Sequence, residues 1–231
     1  MATRRDDRRD EGVVLVEGAP LIAEAIAAGW DVEEEFIAPS GTAVSGEEPT
    51  VLSDAALQRV ATTESPRPNI ALVRRRSWPP LGSFDCVVVL DRLADPGNLG
   101  TLIRSAEAAG IDAVVVTPGT VDAFAPKSVR SSAGAVFHVP VIEAGIDDVR
   151  ANGFSLIATS SHRGDDHRSA DWSGRVALVL GNEAHGVDVD AARWVRIEHR
   201  GRAESLNVAM AGTLLLFSMS DARSSADTAA N

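Results

Sequence analysis

Apolar residues along the chain gather into short unbroken runs, divided by turns rich in Gly, Pro, Asp and Asn. Residues 86–90 (Cys-Val-Val-Val-Leu) and 176–180 (Val-Ala-Leu-Val-Leu) contain no charged or amide side chain, the pattern of strands buried on both faces. Residues 113–117, 136–139, 154–158 and 194–197 are further candidate strands. Between them, apolar residues at helical spacing predict helices over 99–109, 126–131, 146–151 and 206–219. Strands alternating with helices in this way predict an α/β fold whose parallel sheet is covered by helices on both faces.

The first third of the chain is patterned differently. Strands are expected at 13–17, 35–38, 51–52 and 70–73, with helices over 21–28 and from Ser53 or Asp54 to Val60. Gly29 ends the first helix, and residues 39–49 read as a loop. The result is a β-α-β-β-α-β unit, a small domain over residues 12–73. Residues 1–11 read as a mobile mixed-charge arm and 221–231 as a disordered small-residue tail. Residues 74–84, which begin Arg74-Arg75-Arg76-Ser77-Trp78-Pro79-Pro80, form a basic linker stiffened by proline. Its three arginines read either as a phosphate-contacting strap or as a solvated run that joins domains. The larger domain spans 85–220.

Composition narrows the function. The 231-residue chain carries a formal net charge of −11, which argues against indiscriminate nucleic-acid binding. With only 22 Lys and Arg, their placement matters more than their number. The single cysteine, Cys86, excludes an intramolecular disulfide framework and reads as a buried, inert thiol. No apolar run approaches ~20 residues, so no membrane span is expected. The charged N-terminus is not a signal peptide, and a soluble cytoplasmic protein is expected.

Three polar corners stand at predicted strand ends. The first is Asn98-Leu99-Gly100-Thr101-Leu102-Ile103-Arg104, with Asn98 a candidate helix N-cap. The second is Leu180-Gly181-Asn182-Glu183-Ala184-His185-Gly186, and the third is Glu204-Ser205-Leu206-Asn207-Val208-Ala209 at the entry to the last helix. Gly181 and Gly186 suit either close approach to a ligand or positive φ in a turn. Corners at the carboxyl ends of strands gather on one edge of a parallel sheet, where ligands bind. None matches a P-loop, a dinucleotide fingerprint or a nucleophile elbow. His162 and His167 lie beside Asp165 and Asp166 in a polar stretch that reads as a metal site or, more simply, a solvated loop.

In this order and spacing the corners resemble the three motifs of the SpoU/TrmH family of RNA ribose 2′-O-methyltransferases. Residues 87–109 resemble the first motif, 176–186 the second and 197–216 the third. Lys127-Ser128-Val129-Arg130-Ser131-Ser132-Ala133-Gly134-Ala135 resembles the family's arginine-bearing helix, and the front unit resembles its small RNA substrate-binding domain. The resemblance implies a deep trefoil knot near the C-terminus, a rare exception to ordinary chain topology. It also implies S-adenosylmethionine as cofactor, no metal, an RNA substrate with ribosomal preferred over transfer RNA, and a homodimer through the C-terminal domain. Gly181, Ile197 and Leu206 would hold the cofactor. Asn98, Arg104, Glu183, Ser205 and Asn207 would form the catalytic set, with Arg130 and the Arg74, Arg75, Arg76 run on the RNA.

The implied chemistry requires a ribose hydroxyl aligned with an already activated methyl group, and help in losing its proton. A guanidinium, with a pKa above ~12, is a poor base. Arg104 is therefore expected to hold phosphate and stabilise developing alkoxide charge, and Glu183 to anchor the pocket. The chain departs from the family after Ile197: Glu198-His199-Arg200 stands where proline and a small or sulfur-containing residue are common. Two alternatives are a catalytically inactive RNA- or cofactor-binding protein of the same fold, and a nucleotide-dependent enzyme on an ordinary doubly wound sheet.

Overall fold

The computed structural model describes residues 11–63, 65–182 and 186–230, with side chains to Ser225. The front domain is β1 (Val13–Glu17), α1 (Ala19–Ala27), β2 (Val32–Ile37), β3 (Thr50–Val51), α2 (Asp54–Val60) and β4 (Asn69–Arg74). Its sheet order is β1-β4-β2-β3. β4 pairs antiparallel with β1 and β2, and β3 runs parallel to β2. Glu35 of β2, almost fully buried, ties the loop after the strand: its carboxylate accepts from the Val44 and Ser45 N–H groups and from Asn69 Nδ2.

The larger domain continues as β5 (Cys86–Leu90), α3 (Pro96–Ala108), β6 (Ala113–Val116), α4 (Pro126–Ser131), β7 (Val141–Glu143), α5 (Ile146–Ala151), β8 (Ser155–Thr159), β9 (Asp165–Asp166), β10 (Val176–Leu180), β11 (Arg193–Arg196) and α6 (Val208–Ala230). The seven strands lie in the order β7-β6-β5-β10-β8-β11-β9, and every neighbouring pair is parallel. Every residue of β5, β6 and β10 is buried, which is why these runs lack alternation. No described helix is long and apolar enough to cross a membrane.

The domains share one core. Trp30, just after α1, packs edge-on to Phe137 at 5.2 Å and lies 6.0 Å from Phe124. Its indole N–H donates to the Phe137 carbonyl at 2.8 Å. Val14, Val16 and Ile22 of the front domain join Leu99, Ile103 and Val136 in the same buried cluster. The basic linker lies along this seam. The Arg75 guanidinium stacks on Phe124 at 4.4 Å and approaches Glu143 at 3.9 Å, while Arg76 donates to the Ala28 carbonyl. Arg74, the last residue of β4, pairs with Glu33.

Four expectations need correction. Residues 136–139 are not a strand: Ala135–Phe137 form a 3-10 turn, and the strand is Val141–Glu143. Phe137 of this run packs against Trp30, and a short buried run does not by itself distinguish strand from turn. Helix α3 begins at Pro96, capped by Asp95, whose Oδ1 accepts from the Asn98 N–H at 2.8 Å. Asn98 is thus in the first turn rather than the cap. Its backbone bond draws the half-buried Asp95 carboxyl below its ordinary pKa, with Lys127 assisting. The last helix starts at Val208, two residues later than expected, and residues 221–230 continue it instead of forming a disordered tail. Arg223 helps hold that extension, donating to the Trp172 and Gly174 carbonyls.

Candidate active site

The loops leaving β8, β10 and β11 meet the start of α6 around a cleft of about 480 Å³, within the ~300–1,000 Å³ range of small-molecule sites. Leu180, Val195 and Leu215 line it with apolar surface; Thr159, Ser160, Ser161, Asn182, Ser205 and Asn207 supply neutral polar groups. Arg196 and His199 add cationic or potentially cationic donors, and no acidic residue lines the cleft among the described residues. That donor set suits an uncharged nucleoside with an attached carboxylate.

The loop after β10 turns back sharply, with Asn182 bridging to Gly186. A Cβ on Gly181 would collide with the Gly186 carbonyl, and Val187 N would lie 2.7 Å away, so the residue must be glycine for the backbone to close. Asn182 Nδ2 donates to the Arg92 carbonyl at 2.8 Å, joining this loop to the one after β5. That β5 loop is itself fixed by Asp91, a buried carboxylate that accepts from Thr117 Oγ1 at 2.8 Å and from the Arg92 guanidinium.

Asn207 joins the third corner to the first. Its Oδ1 accepts from the Ala209 and Met210 N–H groups, capping α6. Its Nδ2 donates to Asn98 Oδ1 at 3.1 Å. Further along the two helices, the hydroxyls of Ser105 and Thr213 meet at 2.7 Å. Close packing here depends on Gly212, where a Cβ would press into the side chains of Leu102 and Leu180.

The structure therefore brings Gly181, Ile197, Leu206, Ser205 and Asn207 to one cleft, with Asn98 hydrogen-bonded at its edge. Ser205 does not cap the last helix; Asn207 does. Arg104 is exposed on α3 and does not line the cleft; its side chain makes no hydrogen bond or ion pair among the described residues. Glu183 lies outside the described residues. Arg130, expected to grip phosphate, donates to Thr62 Oγ1 at 2.9 Å and lies 3.9 Å from the buried Glu17 carboxylate. Like Arg74, Arg75 and Arg76 it contacts its own chain, and none of the four lines the cleft. His167 bonds Ser218 at 2.6 Å, and no group of three metal-ligating side chains exists among the described residues.

Sequence reasoning missed Thr159, Ser160 and Ser161. The available signal was a polar triplet directly after an apolar strand. It also passed over Asn182 as a tether and Asn207 as a cap.

Residues 85–217 match the SpoU rRNA Methylase family, and residues 2–71 match the MRM3-like substrate binding domain. The chain is 35% identical over 227 residues to the 23S rRNA (guanosine(2553)-2′-O)-methyltransferase RlmP of Bacillus subtilis, covering 92% of this chain and 90% of that one. Among solved structures, the AdoMet-bound rRNA methyltransferase from Sinorhizobium meliloti superposes with a TM-score of 0.82 at 30% identity, covering 95% of this chain and 91% of that one. The SpoU methyltransferase AviRb from Streptomyces viridochromogenes, in complex with AdoMet, gives 0.83 at 27% identity, covering 96% and 94%. The chain belongs to the SpoU rRNA Methylase family, whose members transfer methyl groups from S-adenosylmethionine to RNA ribose 2′-hydroxyls.

Proposed function

We propose that this protein methylates a ribose 2′-hydroxyl in large-subunit ribosomal RNA, and does so as a cytoplasmic homodimer. The substrate assignment is supported by the Bacillus subtilis relative, which acts on 23S rRNA and is matched over nine-tenths of both chains. The observation that carries the reading is the Asn207–Asn98 hydrogen bond at the mouth of a cleft lined by Gly181, Ile197 and Leu206. It joins the two motifs that must act on one ribose. The trefoil knot belongs to the same reading, supported by structural likeness to an rRNA methyltransferase and a SpoU methyltransferase over 95% and 96% of the chain.

When bound, S-adenosylmethionine would supply an electrophilic methyl group to the ribose oxygen, leaving its demethylated thioether, with the hydroxyl proton passing to solvent. The tight Gly181 turn and the apolar surfaces of Ile197 and Leu206 would hold it. Asn98, Asn207 and Ser205 offer neutral hydrogen bonds that orient the ribose. Arg104 holds the adjacent phosphate and stabilises the developing alkoxide.

Dimerisation gives Arg104 its setting. Met210, Leu214 and Phe217 of α6 are 63%, 48% and 42% exposed, and their i, i+4, i+7 spacing puts them on one side of the helix. A second copy packed on this stripe would border α3, whose Ser105 meets Thr213 of α6, and Arg104, exposed on the same helix, would then lie near that copy. Arg130 and the Arg74–Arg76 run stay candidates for RNA contact in a complex that redraws their present pairings.

The test is to offer labelled donor to 23S rRNA, 16S rRNA and bulk tRNA from cells lacking the protein. Label is expected in 23S rRNA; label confined to tRNA would refute the substrate assignment. Sedimentation is expected to give a dimer, and Leu214→Glu a monomer.

A further inference from the structure

We propose that the loop leaving β11 is an RNA-phosphate grip on the lip of the cleft, with Arg200 and Arg202 as its contacts. This rests on the RNA-methyltransferase reading and concerns the loop that holds the Glu198-His199-Arg200 departure.

Four of the chain's 22 basic residues fall within ten positions, Arg193, Arg196, Arg200 and Arg202, in a chain of net charge −11. Two are committed elsewhere: Arg193 pairs with Asp171 at 2.6 Å, and Arg196 Nε donates to the Gly164 carbonyl at 3.2 Å. Arg200 and Arg202 are exposed and make no hydrogen bond or ion pair among the described residues. Between them, Gly201 has nothing within 4 Å of where a Cβ would stand, so the crest of the loop is open to solvent. Of the nearby acids, Glu198 is drawn 3.4 Å from Arg168, which leaves exposed Glu204 as the opposing charge on the segment.

Position gives these arginines a task. Ile197 and His199 line the cleft on one side of them in sequence, and Ser205, Leu206 and Asn207 line it on the other. A phosphate held at Arg200 or Arg202 is therefore close to the cleft mouth, where the target ribose must sit. Exposed guanidinium groups suit this because they bind phosphate through paired, charge-assisted hydrogen bonds. The contrast with Arg74, Arg75, Arg76 and Arg130 is direct, since each of those has a partner within the chain. In a chain of net charge −11, basic groups at the lip also help to orient the polyanion toward the edge where the chemistry occurs.

The experiment compares the full-length protein with the Arg200→Ala/Arg202→Ala double variant and its Arg200→Lys/Arg202→Lys counterpart. Binding to unmodified 23S rRNA transcript is measured across a KCl series, with S-adenosylhomocysteine affinity and methylation kinetics in parallel. In the alanine variant the log K against log [KCl] slope is expected to shrink by about 1.4, two contacts at about 0.7 each for single-stranded RNA. KM for RNA should rise with kcat little changed, S-adenosylhomocysteine affinity should hold, and the lysine variant should retain the slope. An unchanged slope and KM in the alanine variant, with active wild-type enzyme, overturns the lip assignment alone. Loss of S-adenosylhomocysteine binding also overturns it, by making the arginines part of the cofactor loop's shape. Wild-type protein that methylates no RNA would overturn the underlying reading first.

Discussion

Alanine at Gly181 is expected to weaken cofactor binding, whereas alanine at Gly201, in the loop after β11, is expected to be harmless. Replacing glycine by alanine restricts the unfolded chain and stabilises by about 0.4–1 kcal/mol wherever the native backbone accepts it. Gly201 meets that condition: it has no positive φ, and no atom lies within 4 Å of the new methyl. Gly181 has no positive φ either, but its methyl would overlap the Gly186 carbonyl. Those are backbone atoms, which yield only if the loop opens. Overpacking typically costs about 1–3 kcal/mol, so Gly181→Ala should lie between no net change and a loss of about 2.6 kcal/mol. If the loop relieves the collision by opening, the same 1–3 kcal/mol appears at the cleft. At about 1.4 kcal/mol per factor of ten, affinity falls by roughly 5- to 140-fold. Urea unfolding gives the first quantity and calorimetric titration with S-adenosylhomocysteine the second. A Gly181→Ala protein that binds like wild type and is as stable as Gly201→Ala would show that the loop is not closed as described.

Asn207→Asp keeps the acceptor that caps α6 but cannot donate to Asn98, so its stability should hold while methyl transfer falls. Asn207→Ala should lose about 1 kcal/mol as well, separable by urea midpoints. Trp30→Ala removes the aromatic anchor between the domains and the donor to Phe137, and should cost about 3–5 kcal/mol by urea unfolding. Burial pushes the Glu35 carboxyl upward, but hydrogen bonds from Ser45, Asn69 and Val44 outweigh it and leave the pKa below the ordinary value. Its stabilising contribution is therefore fully present above the ordinary carboxylate range and lost as pH falls through the lowered native value. Acid unfolding of Glu35→Gln should be less steep than wild type in that range. Burial also pushes the Cys86 thiol up to about 11, so a thiol reagent at pH 8 should label it only in denaturant.

The parallel sheet was legible in the sequence because strands such as Cys86–Leu90 and Val176–Leu180 must be apolar on both faces, which leaves a run that few other elements produce. The three corners were legible because parallel strands deliver their carboxyl ends to one edge. Other features depended on partners distant in sequence. Phe137 of the run at 136–139 packs against Trp30, more than a hundred residues upstream, and no local pattern carries that information. Asp95 and Asn98 are both good caps, and Pro96 between them could have decided for Asp95, since proline favours the first helical position. The basic run at 74–76 reads as solvated because charge shows in sequence, whereas the Phe124 ring and Ala28 carbonyl that engage it do not. Arg104 carries the reverse lesson: its motif points to the site, yet its side chain is exposed on α3 and does not line the cleft.

Hydrogen–deuterium exchange with and without S-adenosylhomocysteine tests most directly whether separate loops form one cofactor cleft. Protection is expected together at residues 159–161, 180–187 and 197–208, and none in the front-domain strands. Protection confined to one of those segments, or centred instead on the surface around Asp147 and Asp190, would contradict it.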